Sequence, residues 1–149
     1  MKQTISRVKV FVDTNVLVDY LLPERPRHEQ AKVLFGLILK AQIEAGISTQ
    51  SILDAAYIAR KSPGFSPNSF RATVQEIMLR TNVDSIHYFD LKDALKDPHD
   101  DLEDNAQIAF AYSQACDVLV TNDQQLLSRE VPKPMKVMTP EAFVNCCRM

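Results

Sequence analysis

Val8-Lys9-Val10-Phe11-Val12-Asp13-Thr14-Asn15-Val16-Leu17 joins a β-branched apolar run to an acid and then to a second apolar run. The first run has no turn former and reads as a buried strand. The strand stops at Asp13. Residues 15–22 then read as a short helix, halted by Pro23 and Pro26, because proline lacks the N–H that a helix interior needs. A strand that passes straight into a helix is the beginning of a βα unit.

The alternation continues outward from there. Residues 28–45 read as a long helix, 46–48 as a short strand and 49–60 as a helix. Ser62-Pro63-Gly64-Phe65-Ser66-Pro67 is a loop by its Pro and Gly content. Residues 68–79 read as a helix, 83–89 as a strand and 90–95 as a weak helix before Asp97-Pro98 breaks the chain. A helix over 101–115, a buried strand over 116–121, a short helix over 123–127, a strand over 136–138 and a helix over 140–146 complete the pattern. Pro140 at that last helix's first turn is well placed. Strands separated by helices pair in parallel through right-handed crossovers. The expectation is a three-layer α/β fold, a parallel sheet of roughly five strands flanked by helices, with residues 1–149 forming one domain.

Bulk properties narrow the class. The chain has 149 residues, 46% hydrophobic and 24% charged, an ordinary globular mix large enough to bury a core without staples. Its formal charge is −2. A protein that grips nucleic acid by net charge alone would be basic. Any nucleic-acid contact must therefore come from a local basic face or from bound metal. Cys116, Cys146 and Cys147 form no CxxC pair and are odd in number, which disfavours zinc and a disulfide framework and fits a reducing cytoplasm. Met1-Lys2-Gln3-Thr4 lacks the apolar run of a signal peptide. The longest apolar stretch, residues 33–39, is too short to span a bilayer.

Four acids recur at matching ends of the alternating elements: Asp13, Asp54, Asp104 and Asp123. In open parallel sheets, ligands bind beyond the carboxyl ends of the strands. Asp13 follows the first strand, Asp123 follows Val118-Leu119-Val120, and Asp54 lies one helical turn after the Ile47 strand. At least these three should face one end of the sheet. Phosphodiester cleavage needs a nucleophile at neutral pH and neutralised phosphate charge, which Mg²⁺ or Mn²⁺ supplies. Such hard ions take oxygen ligands, so carboxylates suffice without His or Cys. Without metal, gathered carboxylates repel, by about 4 kcal/mol for a pair about 4 Å apart at an effective dielectric near ~20. Simpler roles exist for each. Asp123 can cap the short helix behind it, and Asp54 can be an exposed helix residue. The acidic run over 97–104 can be explained by capping from Asp100 or Asp101 with dipole complementarity.

Val10-Phe11-Val12-Asp13-Thr14-Asn15-Val16-Leu17 resembles the opening of a PIN domain, the family that includes VapC-type toxins. Asp101-Leu102-Glu103-Asp104-Asn105-Ala106-Gln107-Ile108-Ala109 is similar to that family's helix bearing the third acid, and Val118-Leu119-Val120-Thr121-Asn122-Asp123 to its strand end. The motifs occur in family order across nearly the whole chain. The resemblance implies metal-dependent endonucleolytic cleavage of RNA leaving a 5′-phosphate. It makes Asp13, Asp104 and Asp123 ligands of Mg²⁺ or Mn²⁺, gives Asn15 the loop around Asp13 and lets the Thr121 hydroxyl buttress the site. The family's usual second acid is Glu, and Asp54 is the nearest match, one methylene shorter. Asp101, three residues before Asp104 on one helical face, is an additional candidate ligand. The resemblance also implies an antitoxin protein partner and a homodimer.

Other readings stand beside this one. Arg25, Arg27, His28 and Lys32, or Arg60 and Lys61, can contact phosphates, or be solvated helix faces. His28, His87 and His99 show no ligand spacing. The helix carrying Val33 to Leu39 is apolar nearly all round, which favours core burial, with a partner surface as the alternative. A non-catalytic RNA-binding scaffold would keep the fold without the chemistry. A receiver-like signalling domain would put its phosphoacceptor at Asp90 but lacks the early acid pair and a placed Lys. A phosphate-transferring hydrolase would want a second Asp where Asn15 stands.

Overall fold

A computed structural model describes residues 7–148. The polar start read above as no signal peptide, residues 1–4, lies outside the described residues. The strands are β1 (Lys9–Val12), β2 (Glu44–Ser48), β3 (Asn82–Asp84), β4 (Val118–Val120) and β5 (Lys136–Met138). The helices are α1 (Thr14–Leu21), α2 (His28–Leu39), α3 (Thr49–Arg60), α4 (Pro67–Arg80), α5 (Tyr88–Lys96), α6 (Leu102–Ser113), α7 (Gln124–Leu127) and α8 (Pro140–Cys147). All strand pairs are parallel, and the sheet order is β3-β2-β1-β4-β5.

Strand side chains alternate between faces with period two, and here they divide the core in two. Val10, Val12, Ile47, Val118 and Val120 pack with Val16, Leu34, Phe35, Ala55, Ile77 and Phe143 of α1, α2, α3, α4 and α8. Phe11 and Leu119 face the other way, against Ile108 and Phe110 of α6 and Leu126 of α7. Phe11 meets Phe110 edge-on with ring centroids 5.7 Å apart. Both sheet faces are covered, as an all-parallel sheet requires, and the expected three-layer α/β fold is the one found. Core burial of α2 is also found, through Ala31, Leu34, Phe35 and Ile38.

Two expected elements end early. The helix read over 28–45 stops at Leu39. The Lys40 amide donates to the Gly36 carbonyl, Ala41 takes a left-handed φ of 56°, and Glu44 and Ala45 already pair with Lys9 and Val10. Every residue from Lys40 to Ala45 tolerates a helix, so local propensity overran what sheet pairing decides. The strand read over 83–89 shrinks to Asn82–Asp84. Tyr88 and Phe89 enter α5 instead, because Asp90 folds back to accept the His87 amide at 3.0 Å. Asp90 is thus a buried capping residue on a helix, and the sheet order differs from the 2-1-3-4-5 of receiver-like folds. Both facts remove the receiver reading.

The order places a topological switch at β1. The chain runs outward through β2 and β3, then returns to the other side of β1 to lay down β4 and β5. The connections leaving β1 and β4 diverge to opposite faces and open a crevice at the strands' carboxyl ends, the position where such sheets bind ligands.

Candidate metal centre

Asp13 and Asp123 arrive at this crevice because each follows a strand flanking the switch. Asp13 is the N-cap of α1, and its Oδ1 accepts the Thr14 amide at 2.8 Å. Its Oδ2 accepts the Thr121 hydroxyl at 2.7 Å, a fully buried contact between residues 108 apart in sequence. Thr121 Oγ1 in turn accepts the Asp123 amide at 3.0 Å, so one hydroxyl ties the two strand ends together. Asp123 caps α7 by accepting the Gln125 amide at 3.0 Å, so the capping role and the crevice position coexist.

Thr121→Val removes that hydroxyl at constant shape. It leaves a buried Asp13 oxygen and the Asp123 amide without their partner, at an expected cost of about 1–3 kcal/mol. Urea unfolding of the metal-free protein measures it, and Thr121→Ser should recover most of the loss.

Helix α3 brings Asp54 by a chain of hydroxyls. Thr14 Oγ1 donates to Ser51 Oγ at 2.8 Å, and Ser48 Oγ donates to Ser51 Oγ at 3.1 Å. Ser48 also caps α3, accepting the Ser51 amide at 3.0 Å. The starts of α1 and α3 are thereby held together, and Asp54 lies three residues beyond Ser51. Its Oδ1 accepts from the Gln50 side-chain Nε2 at 2.8 Å.

The resulting cleft, about 380 Å³, is lined by Asp13, Asn15, Asp54, Asp104 and Asp123, with Thr14, Tyr57, Ile58, Glu103 and Gln107. Asn15 is an exposed rim residue, whereas Thr121 is fully buried behind Asp13. Asp101 is not among the lining residues. Its Oδ1 caps α6 by accepting the Asp104 amide at 3.0 Å, and it lies on a neighbouring hollow that also reaches Asp104. Sequence reasoning missed Glu103 and Gln107. Their spacing carried the signal: Gln107 is one turn on from Glu103 and Asp104, so the three share a side of α6.

The electrostatics match crowded acids. Burial, then repulsion from Asp101, Asp123 and Asp13, pushes the Asp104 carboxyl up to about 6, with Arg129 opposing. Burial raises Asp13 against its hydrogen bonds to Thr121 and Thr14, with Asp123 adding to the rise. Glu103 is raised by burial first, then by Asp54, Asp101 and Asp13. The donor set is all oxygen, and the buried Gln107 Oε1 has no hydrogen-bond partner. Such a set fits a hard divalent cation. Among the described residues no three acidic, His or Cys side chains close into a tight chelate, a spacing compatible with an ion that keeps several waters and takes one or two carboxylates.

Fold and cleft together define a parallel α/β protein with an oxygen-rich acidic crevice at its switch point. A family model described as PIN domain matches residues 9–125, and the chain belongs to the PIN-domain family. It is 25% identical over 138 residues to Ribonuclease VapC1 of Aquifex aeolicus, covering 91% of this chain and 92% of that one. Among solved structures, the Mycobacterium tuberculosis VapC20, a sarcin-ricin loop cleaving toxin, superposes with a TM-score of 0.66 at 14% identity, covering 85% of this chain and 98% of VapC20. VapBC2 from Rickettsia felis, bound to a DNA fragment from their promoter, gives a TM-score of 0.61 at 13% identity over 87% of this chain and 97% of its own. Among the described residues no helix is long and apolar enough to cross a membrane.

Proposed function

We propose that this chain is a metal-dependent endoribonuclease, a toxin of the VapC type, whose single domain holds Mg²⁺ or Mn²⁺ in the cleft of Asp13, Asp104 and Asp123, one or two of these carboxylates directly and the rest through the ion's waters. The observation that carries this reading is the cleft itself, in which acids from four separate segments converge at the carboxyl rim of the sheet. When bound, the cation lowers the pKa of a water and neutralises phosphate oxygens. The chain's own residues do the rest. Thr121 fixes Asp13 by donating to its Oδ2 and keeps Asp123 in register through the Asp123 amide. Asp101 holds Asp104 in place by capping α6 and raises its affinity for a positive charge. Asp54 and Glu103 line the same space, and burial with the neighbouring acids raises the Glu103 carboxyl from its ordinary value, so in this reading it would be a proton acceptor in the cleft. Glu103 also brings a glutamate to a cleft where Asp54 is one methylene short. An antitoxin protein and a second copy of this chain are the partners this reading implies.

Incubation of structured and single-stranded RNAs with Mn²⁺ or with chelator tests the activity. Internal cuts bearing 5′-phosphates are expected only with metal. Metal-dependent binding of RNA without cuts would support the scaffold reading instead.

The pH dependence follows from Asp104. The unfolded chain releases this proton near 3.8, and the folded chain near about 6. Between those values the folded form binds more protons, so this group's contribution to metal-free stability falls as pH rises through the window. A cation that takes the proton's place reverses the loss. The melting shift caused by Mn²⁺ should therefore be larger at about pH 7.5 than at about pH 5. Asp104→Asn should flatten both trends, and an unchanged pH trend in that variant would contradict the assignment.

A further inference from the structure

A second hollow, about 830 Å³, opens beside the acidic cleft and shares Asn15 and Asp123 with it. Asp19, Arg25 and Arg27 are among its other lining residues. One of its two arginines, Arg25, is set by the chain before any ligand arrives. Asp19 lies one helical turn after Asn15 on α1, is buried, and accepts Arg25 Nε at 3.0 Å on Oδ1. That pair engages only Nε and leaves the two terminal guanidinium nitrogens outside it. The loop carrying Arg25 is itself held. The Arg25 amide donates to the Leu22 carbonyl at 3.1 Å, the His28 amide donates to the Arg25 carbonyl at 3.1 Å, and His28 Nδ1 lies 2.8 Å from the Asp19 carbonyl. Pro23 and Pro26 remove further backbone freedom. Arg27 is exposed at the N-cap of α2 without a side-chain capping bond, and among the described residues it has no ion-pair partner.

Two other cations near the cleft are committed, while Arg60 only lies over the Tyr57 ring, 5.7 Å from its centroid. The Arg129 side chain is largely covered, with both terminal nitrogens bonded to Asn105 and Asp97 at 2.8 Å. Lys61 Nζ donates to the Tyr57 hydroxyl at 2.6 Å and sits over its ring. A polyanion brought to a crevice this acidic, on a chain of charge −2, needs fixed positive charge next to the cleft. The Arg25–Arg27 hollow supplies it, continuous with the acids through Asn15 and Asp123.

We infer that this hollow is a backbone-phosphate subsite for RNA: Arg25 and Arg27 hold a phosphate neighbouring the one that is cut, with Asp19 orienting the Arg25 fork. The inference rests on the nuclease reading above. A guanidinium held in a fixed plane suits phosphate oxygens, and contact remote from the reacting atoms acts on binding more than on chemistry.

The test is steady-state cleavage of a mixed-sequence single-stranded RNA in Mn²⁺ at several salt concentrations. Wild type is compared with Arg27→Ala, Arg25→Lys and, as a control, Lys136→Ala at the opposite end of the sheet. Arg25→Lys keeps a partner for Asp19 and so protects the fold, which melting verifies. Arg27→Ala should raise KM about tenfold with little change in kcat. It should also reduce the slope of log kcat/KM against log salt by about 0.7, the value of one single-strand phosphate contact. Arg25→Lys should raise KM by a smaller factor, and Lys136→Ala should match wild type. Wild-type KM and salt slope in both arginine variants would overturn the subsite while leaving the nuclease standing. Wild-type protein that neither binds nor cuts RNA in Mn²⁺ would overturn the nuclease reading and the subsite with it.

Discussion

Asp13→Asn is expected to lower cleavage by at least about 10²-fold, the scale of losing one charge-stabilising group from an active site, while the protein remains folded. Asp13 is the most buried of the cleft acids, and each of its oxygens already accepts one hydrogen bond, from Thr14 and from Thr121. An asparagine amide oxygen can take the Thr14 amide, and the Thr121 hydroxyl can rotate to accept from the new NH₂ group. Local geometry is therefore conserved while the charge that attracts the cation is gone. Burial and Asp123 both raise Asp13, so the ionised group is a burden to the metal-free fold. The variant's metal-free melting midpoint should accordingly equal or exceed that of wild type. The combination of lost activity and retained stability separates a metal-holding acid from a structural one. Full activity in the purified variant would reject the role.

Arg129→Met should have the opposite signature, a large loss of stability. The Arg129 side chain is 8% exposed and binds Asn105 Oδ1 and Asp97 Oδ2, both at 2.8 Å. Asn105, itself buried, donates to the Ala94 and His99 carbonyls at 3.3 and 2.9 Å. Asp97 accepts the His99 amide at 3.0 Å. The network clamps the end of α5, the Pro98 bend and the first turn of α6, and so fixes where Asp104 enters the cleft. Methionine fills similar volume but leaves Asp97 Oδ2 and the Asn105 oxygen without their donor, while Asp97 Oδ1 keeps the His99 amide. Breaking a buried ion pair from one side costs roughly 3–5 kcal/mol. Asp97 is partly exposed, so a loss near about 3 kcal/mol is expected, or about 6–12 °C in melting midpoint for a chain of this size. A midpoint within about 2 °C of wild type would show that the clamp does not hold α6.

Much of this architecture was legible because it is written locally. The run from Val8 to Asp13 has one reading, and the strand over 136–138 coincides with β5. Where local preference and long-range pairing disagreed, preference misled. Lys40 to Ala45 could have continued a helix, and the sheet took Glu44 and Ala45 instead. The positions of Asp13, Asp54, Asp104 and Asp123 could be anticipated because strand ends and helix starts are marked in sequence. Of the bonds that hold them, only the Thr121 buttress could be anticipated, through the family resemblance. Thr14 with Ser51 and Arg129 with Asn105 join residues 37 and 24 apart and follow from topology alone. Asp101 shows the same limit at short range, since nothing in its spacing tells whether its carboxylate turns outward or back onto the Asp104 amide.

The most direct measurement is an Mn²⁺ titration followed by the free-ion paramagnetic resonance signal, which needs no knowledge of the RNA target. Wild-type protein should take up the ion at neutral pH, and folded Asp104→Asn should take up markedly less at the same concentrations. Equal uptake by the two proteins, or no uptake by wild type at millimolar Mn²⁺, would contradict the account.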